Sequence, residues 1–191
     1  SSERRPSFQP FLRFRLSAVP AVEQPAQPRK GAMAAEVHRK IALLGFRGVG
    51  KSSLVRQLSE GRFQEEYEPT LINTAHVPFR VGSVSFLLEV LETAGQDEFS
   101  AIPKEASIGV HGYVLVFSVE SRSSFDKLRL INDTLLNAIG VDTIPRVLVG
   151  NKTDLSREGR REVTEEQGAE LAAKWGCAYL ETSALMNDGV G

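Results

Sequence analysis

The sequence predicts an α/β fold, a mostly parallel six-stranded sheet flanked by helices, and three observations carry that reading. Short apolar runs of strand length alternate with amphipathic helical patterns, which gives parallel strands joined by right-handed crossovers. A glycine-rich stretch, Gly45-Phe46-Arg47-Gly48-Val49-Gly50-Lys51-Ser52-Ser53, lies between the first apolar run and the first helical pattern. Every other chemically suggestive loop follows the carboxyl end of a predicted strand, where ligands bind in such sheets.

Residues 1–36 read differently from residues 37–191, which form one domain. Five prolines (Pro6, Pro10, Pro20, Pro25, Pro28) interrupt the first segment and basic residues outnumber acidic ones, so no packed structure is expected there. Phe8, Phe11, Leu12, Phe14 and Leu16 among Arg13 and Arg15 loosely resemble an organelle transit peptide. Met33, just before the first strand, supports the other reading, translated upstream sequence.

Val37 to Leu44 is a short β-run, and Leu54, Val55 and Leu58 then recur at helical spacing until Gly61 caps the helix. A polar loop from Phe63 to Asn73 follows. Asn73–Val81 and Ser83–Leu91 form a hairpin turning at Gly82, with Pro78 marking an edge strand because proline donates no ladder hydrogen bond. Gly112–Val119 is β-branched or aromatic almost throughout and reads as a buried parallel strand. Phe125, Leu128, Ile131, Leu135 and Ile139 mark a helix face, with Ser121 as its cap. Val147–Val149 is another buried strand. Thr164-Glu165-Glu166-Gln167 has the form of a capping box opening a helix through Leu171, Ala172 and Trp175 to Gly176. Cys177–Leu180 is the last strand, with Cys177 expected in the core.

With 41% hydrophobic and 25% charged residues and a net charge of -1, composition argues for one globular core and against a general attraction to nucleic acid or membrane. One cysteine makes no intrachain disulfide, which fits a reducing, cytoplasmic setting. The longest apolar run, Val110–Val119, is too short and too interrupted to span a bilayer. His38, His76 and His111 lack metal-ligand spacing.

The glycine-rich stretch matches G-x-x-x-x-G-K-[ST], in which successive backbone N–H groups converge on phosphate oxygens at a helix N-terminus. Gly48, Val49, Gly50 and Ser53 then form the cradle, Lys51 reaches the β- and γ-phosphates, and the Ser52 hydroxyl ligates Mg²⁺. In Asn151-Lys152-Thr153-Asp154 the Asp154 carboxylate faces a purine edge. Guanine offers two N–H donors there and adenine an acceptor, so guanine is selected. The Ala184 N–H, after Ser183, meets the guanine oxygen. Thr70 in one loop supplies a hydroxyl to Mg²⁺, Gly95 in another supplies an N–H to the γ-phosphate, and Gln96 orients the attacking water.

With these motifs in this order, the chain from about Val37 onward resembles the Ras superfamily of small GTPases. Within it, Gly45–Ser53, Tyr67–Thr74, Gln96–Ser100 and Gly112–Val119 are most similar to the Rheb branch. The resemblance implies a Ras-like G domain of the P-loop NTPase class, with GTP and GDP as substrate and product and Mg²⁺ as cofactor. It adds Tyr67 and Pro69 to the nucleotide contacts and makes Tyr67–Thr74 and Gln96–Ser100 the effector surfaces. It further implies signalling to the TOR kinase complex, a tuberin-type activating protein, and a C-terminal lipid anchor that holds the full-length form on endomembranes. Arg47 stands where Ras has glycine and Rheb arginine; it crowds the place where Gln96 must act, favouring slow hydrolysis, or else assists as a phosphate-binding cation.

The chain departs from the family at three points. Glu92 replaces the aspartate that helps to hold Mg²⁺, and one extra methylene threatens a metal that demands near-ideal octahedral geometry. Leu185 replaces the lysine after Ser-Ala. The family's long C-terminal helix and lipidated tail are not found before Gly191, so a truncated domain with exposed apolar sheet is expected. A guanine-nucleotide-binding module that does not cycle is the alternative to a slow GTPase switch.

Overall fold

The computed structural model describes residues 36–64, 72–96 and 101–190. The chain divides into units Ser1–Ala34 and Ala35–Gly191, the first wholly outside the described residues. The expectations placed on the N-terminal segment, on Tyr67, Pro69 and Thr70, and on Asp97–Ser100 therefore fall outside them too.

Among the described residues six strands and three α-helices follow in the order β1 (Val37–Gly45), α1 (Lys51–Glu60), β2 (Ile72–Val81), β3 (Val84–Thr93), β4 (Gly112–Ser118), α2 (Arg122–Ile139), β5 (Arg146–Asn151), α3 (Glu165–Trp175) and β6 (Ala178–Glu181). The sheet runs β2-β3-β1-β4-β5-β6. All neighbours are parallel except the β2–β3 hairpin, whose pairing closes at Val81 and Val84 around Gly82-Ser83. Gly82 has φ +58°, the left-handed conformation a tight hairpin turn requires. Pro78 sits on the edge strand, as its missing donor dictates.

Because side chains alternate across a strand, each central strand feeds two cores. On one face Ala42, Leu44, Tyr113, Leu115, Phe117 and Leu148 pack with Phe125, Leu128, Ile131 and Leu135 of α2 and Leu171 and Ala172 of α3. Phe117 meets Phe125 edge-on at 4.9 Å between ring centres, within the range aromatic pairs favour. On the other face Leu43, Val90, Val116 and Val149 pack with Leu54 and Val55 of α1. On that face Ile41, Val114 and Val147 are only partly buried.

The predicted helix ends hold. The Ser121 side chain accepts from the Ser124 N–H, Thr164 and Gln167 complete a reciprocal capping box, and Gly61, Gly140 and Gly176 close the three helices in the left-handed conformation. Strand boundaries move: β3 runs on to Thr93 and β5 spans Arg146–Asn151, each longer than expected, while β4 ends earlier and β6 begins later. β4 stops at Ser118 because the Ser118 carbonyl accepts from Ser121 in the turn into α2. Cys177 lies outside β6 and is half-buried, not a strand residue in the core: its N–H donates to the Ala172 carbonyl and so ends α3. Burial pushes its thiol pKa up.

Truncating Phe117 to alanine removes a fully buried ring and is expected to destabilise the domain by about 3–5 kcal/mol. Thr164→Ala, which removes one cap, costs about 1 kcal/mol. Denaturant unfolding of the two variants checks both the order and the gap.

Candidate functional site

At the carboxyl ends of β1, β3 and β5 lies a cavity of about 1000 Å³. Its wall includes Arg47, Gly48, Gly50, Lys51, Ser52, Ser53, Glu92, Gly95, Asn151, Lys152, Asp154, Ala184 and Leu185, so the glycine-rich loop and the Asn-Lys-x-Asp and Ser-Ala loops share one site. Leu185, half-exposed, adds an apolar side chain to this wall.

The glycine-rich loop is shaped by close approach. A Cβ on Gly45 would lie 2.2 Å from the Val116 carbonyl oxygen, and one on Gly50 would lie 2.3 Å from Asn151 Nδ2. Gly50 also has φ +95° and opens α1, whose first residues present their N–H groups at the cavity. Lys51 folds back over the loop, donating to the carbonyls of Gly45 (2.9 Å) and Phe46 (3.1 Å). Burial pulls its pKa down to about 8, against an opposing pull from the Glu92 carboxylate. A cation so poorly hydrated gains a great deal from an arriving phosphate. Val49 is buried beneath the loop and belongs to the core.

Glu92, at the end of β3, is 2% exposed and accepts a hydrogen bond from the Ser52 hydroxyl. These are hard oxygen donors, the kind Mg²⁺ takes in ones and twos beside phosphates and water. The pair fits such an ion, and the longer Glu92 side chain still reaches Ser52.

Asn151 ends β5 and is 1% exposed. Its Nδ2 donates to the Val49 carbonyl (2.9 Å), and its Oδ1 accepts from the Thr182 hydroxyl (3.1 Å) and the Ala184 N–H (3.3 Å). Asp154 accepts from the buried Ser183 hydroxyl, which fixes one carboxylate oxygen and leaves the other face of the group toward the cavity. Lys152 adopts the left-handed conformation (φ 68°) and donates to Glu120 Oε1 at 2.7 Å. Ala184 lines the cavity, with its N–H engaged by Asn151.

Gln96 departs from expectation. It does not line the cavity; it is 4% exposed, its Oε1 accepts from the Gly45 N–H (3.0 Å) and its Nε2 donates to the Thr93 hydroxyl (2.9 Å). Its backbone N–H also donates to the Gly45 carbonyl at 3.1 Å. The cause is local: β1 runs on to Gly45, past Leu43 where its ladder with β3 ends, and the amide satisfies the buried Gly45 N–H left there. Gly95 sits where a Cβ would come within 2.5 Å of the Arg47 backbone, so the two loops touch. Arg47 itself is exposed, its guanidinium 5.5 Å from the Phe46 ring centre. Sequence reasoning missed Thr93, Thr182 and Glu120. For Glu120 a signal existed, a carboxylate directly after an apolar strand; for the two threonines none did.

The sequence model of the Ras family matches residues 40–191. The chain is 44% identical over 158 residues to a GTP-binding protein Rheb homolog of Dictyostelium discoideum, covering 83% of this chain and 84% of that protein. It is 47% identical to a GTP-binding protein Rheb homolog of Drosophila melanogaster, covering 80% and 83%, and 46% identical to GTP-binding protein Rheb of Homo sapiens, covering 78% and 80%.

Gln96→Leu leaves the Gly45 N–H without its buried partner and is expected to destabilise the domain by about 1–3 kcal/mol. A thermal or denaturant midpoint equal to that of the parent contradicts this placement of the amide.

Proposed function

The chain belongs to the Ras family and is a Rheb-like, GTP-binding small GTPase; from that premise we propose that it is a Mg²⁺-dependent switch whose intrinsic GTP hydrolysis is slow. The observation that carries the reading is that one cavity joins the phosphate loop to Asn151, Asp154 and Ala184. In this reading Gly48, Val49, Gly50 and Ser53 offer backbone N–H groups to the phosphates and Lys51 exchanges its loop carbonyls for phosphate oxygens. Asp154, steadied by Ser183, accepts from the two N–H groups of guanine and leaves adenine unpaired.

Ser52, Glu92 and, in the triphosphate state, Thr70 would hold Mg²⁺, which when bound would neutralise charge on the phosphates. Slow hydrolysis is supported by Gln96, whose amide must give up two hydrogen bonds before it can orient a water. Arg47 at the mouth of the site supports it further. A rate limited in this way leaves room for an activating protein that supplies its own catalytic group, and the effector surfaces would be Tyr67–Thr74 and the loop after Gln96. Resemblance to the Rheb branch points the output to the TOR kinase pathway.

The test is competitive binding to the full chain by guanine and adenine nucleotides, with Mg²⁺ and with a chelator. GDP is expected to outcompete ADP by at least ~10³-fold, and chelation to weaken GDP. Asp154→Asn loses two hydrogen bonds to a charged acceptor, about 3–6 kcal/mol, hence ~10²–10⁴-fold in GDP affinity. Equal affinity for the two purines overturns the reading.

A further inference from the structure

Two adjacent arginines sit behind the two loops that form the base end of the cavity. Arg161 grips Glu181 with two hydrogen bonds of 2.8 Å and also reaches Ser156 Oγ and the Val163 carbonyl. Tyr179 donates to Glu181 as well. Glu181 directly precedes Thr182-Ser183-Ala184, so this pair fixes the stem of one loop. Burial alone would raise the Glu181 pKa, but the hydrogen bonds from Arg161 and Tyr179 outweigh it and hold the carboxyl below its ordinary value.

Arg160 does the same for the other loop through a relay. Its Nη2 donates to Glu120 Oε2 at 2.6 Å, while Glu120 Oε1 accepts from Lys152 Nζ at 2.7 Å. Glu120 stands just past the end of β4, its side chain only 16% exposed, and Lys152 lines the cavity. The carboxylate thus turns a long, rotamer-rich lysine away from solvent and fixes it against the site wall. Arg160, at 57% exposure, is the solvent-facing end of the relay, in contrast to Arg161 at 24%.

We propose that Glu120 and Arg160 are positioning residues which, by immobilising Lys152, set how long a guanine nucleotide stays bound. This rests on the guanine-nucleotide reading of the cavity. An unanchored Lys152 regains its rotamers, and the wall beside the base loosens. The relay shares one carboxylate between two cations, so a neutral amide at Glu120 cannot replace it: its NH₂ would face one of them. The limb to Arg160 is open to solvent and is correspondingly weak, so its loss is the smaller effect.

The experiment is the release rate of a fluorescent GDP from the full chain, chased with excess GDP. Glu120→Gln is expected to release about tenfold faster, equivalent to about 1.4 kcal/mol. Arg160→Gln is expected to release about two- to fivefold faster, with Arg160→Lys restored toward the parent rate because it keeps the charge. The ratio of Glu120→Gln to parent shrinks toward one as salt rises from about 0.05 M to about 1 M, because screening dissolves the relay in the parent. A general loss of packing would give neither charge rescue nor salt convergence. Unchanged or slower release in both Glu120→Gln and Arg160→Gln overturns the proposal while leaving the nucleotide site intact. Failure of the unsubstituted chain to bind GDP overturns the reading beneath it. The surface substitution Arg160→Gln keeps the test decisive if Glu120→Gln folds poorly.

Discussion

The side-chain amide of Asn151 joins the two halves of the site. It is fully buried, and its three hydrogen bonds reach the phosphate loop on one side and the Thr182–Ala184 loop on the other. Backbone hydrogen bonds join Thr182 to Gly150 and Thr153, but among the described residues no strand pairing joins Asn151 to Val49, about a hundred residues away in sequence. A buried amide with its carbonyl accepting twice and its NH₂ donating has one low-energy placement, and the loops inherit it. Gly50 belongs to the same constraint, because any side chain there would displace Nδ2.

The rest of the site is arranged around sheet ends. Parallel strands leave backbone donors and acceptors unpaired where each strand outruns its neighbour, and this protein satisfies several of them with side chains. Gln96 covers the Gly45 N–H, Thr93 donates to the Leu43 carbonyl, and Lys51 donates to the Gly45 carbonyl. The first two are structural commitments: one keeps the glutamine out of the cavity, and the other ties down a threonine of its wall. The third is reversible, since a lysine held at about pKa 8 by burial exchanges carbonyl oxygens readily for a better-charged acceptor. This division puts binding groups in the cavity and keeps the glutamine out of it.

Much of this was legible in the sequence because it depends on periodicity and on residues with few conformational options. The alternation of apolar runs set the six strands, Pro78 placed the hairpin on an edge, and glycines and a capping box set the helix ends. Part of the cavity wall was legible for the same reason: Gly50, Lys51 and Asn151 lie at strand or helix ends where the fold leaves little freedom, and Ala184 lies in the turn after the last strand. What could not be read was which of two competing partners a polar side chain takes. Gln96 has the right chemistry for a water and equally for a backbone N–H, and only the geometry past the end of β3 decides between them. Glu120 stands in sequence only as a carboxylate after an apolar strand; that it shares its oxygens between Lys152 and Arg160 needs β4, β5 and the following loop assembled. Cys177 was misplaced by one residue because its N–H ends a helix before the strand begins.

The central claim is that the phosphate and base halves work as one site because Asn151 ties them together. The dissociation constant of GDP for the full chain and for Asn151→Ala, measured by calorimetry in Mg²⁺ buffer, tests it most directly. Loss of three hydrogen bonds at about 1 kcal/mol each predicts a rise of roughly 10²-fold. A dissociation constant in the variant equal to that of the parent would contradict the account, because the loops would then hold their places without the amide.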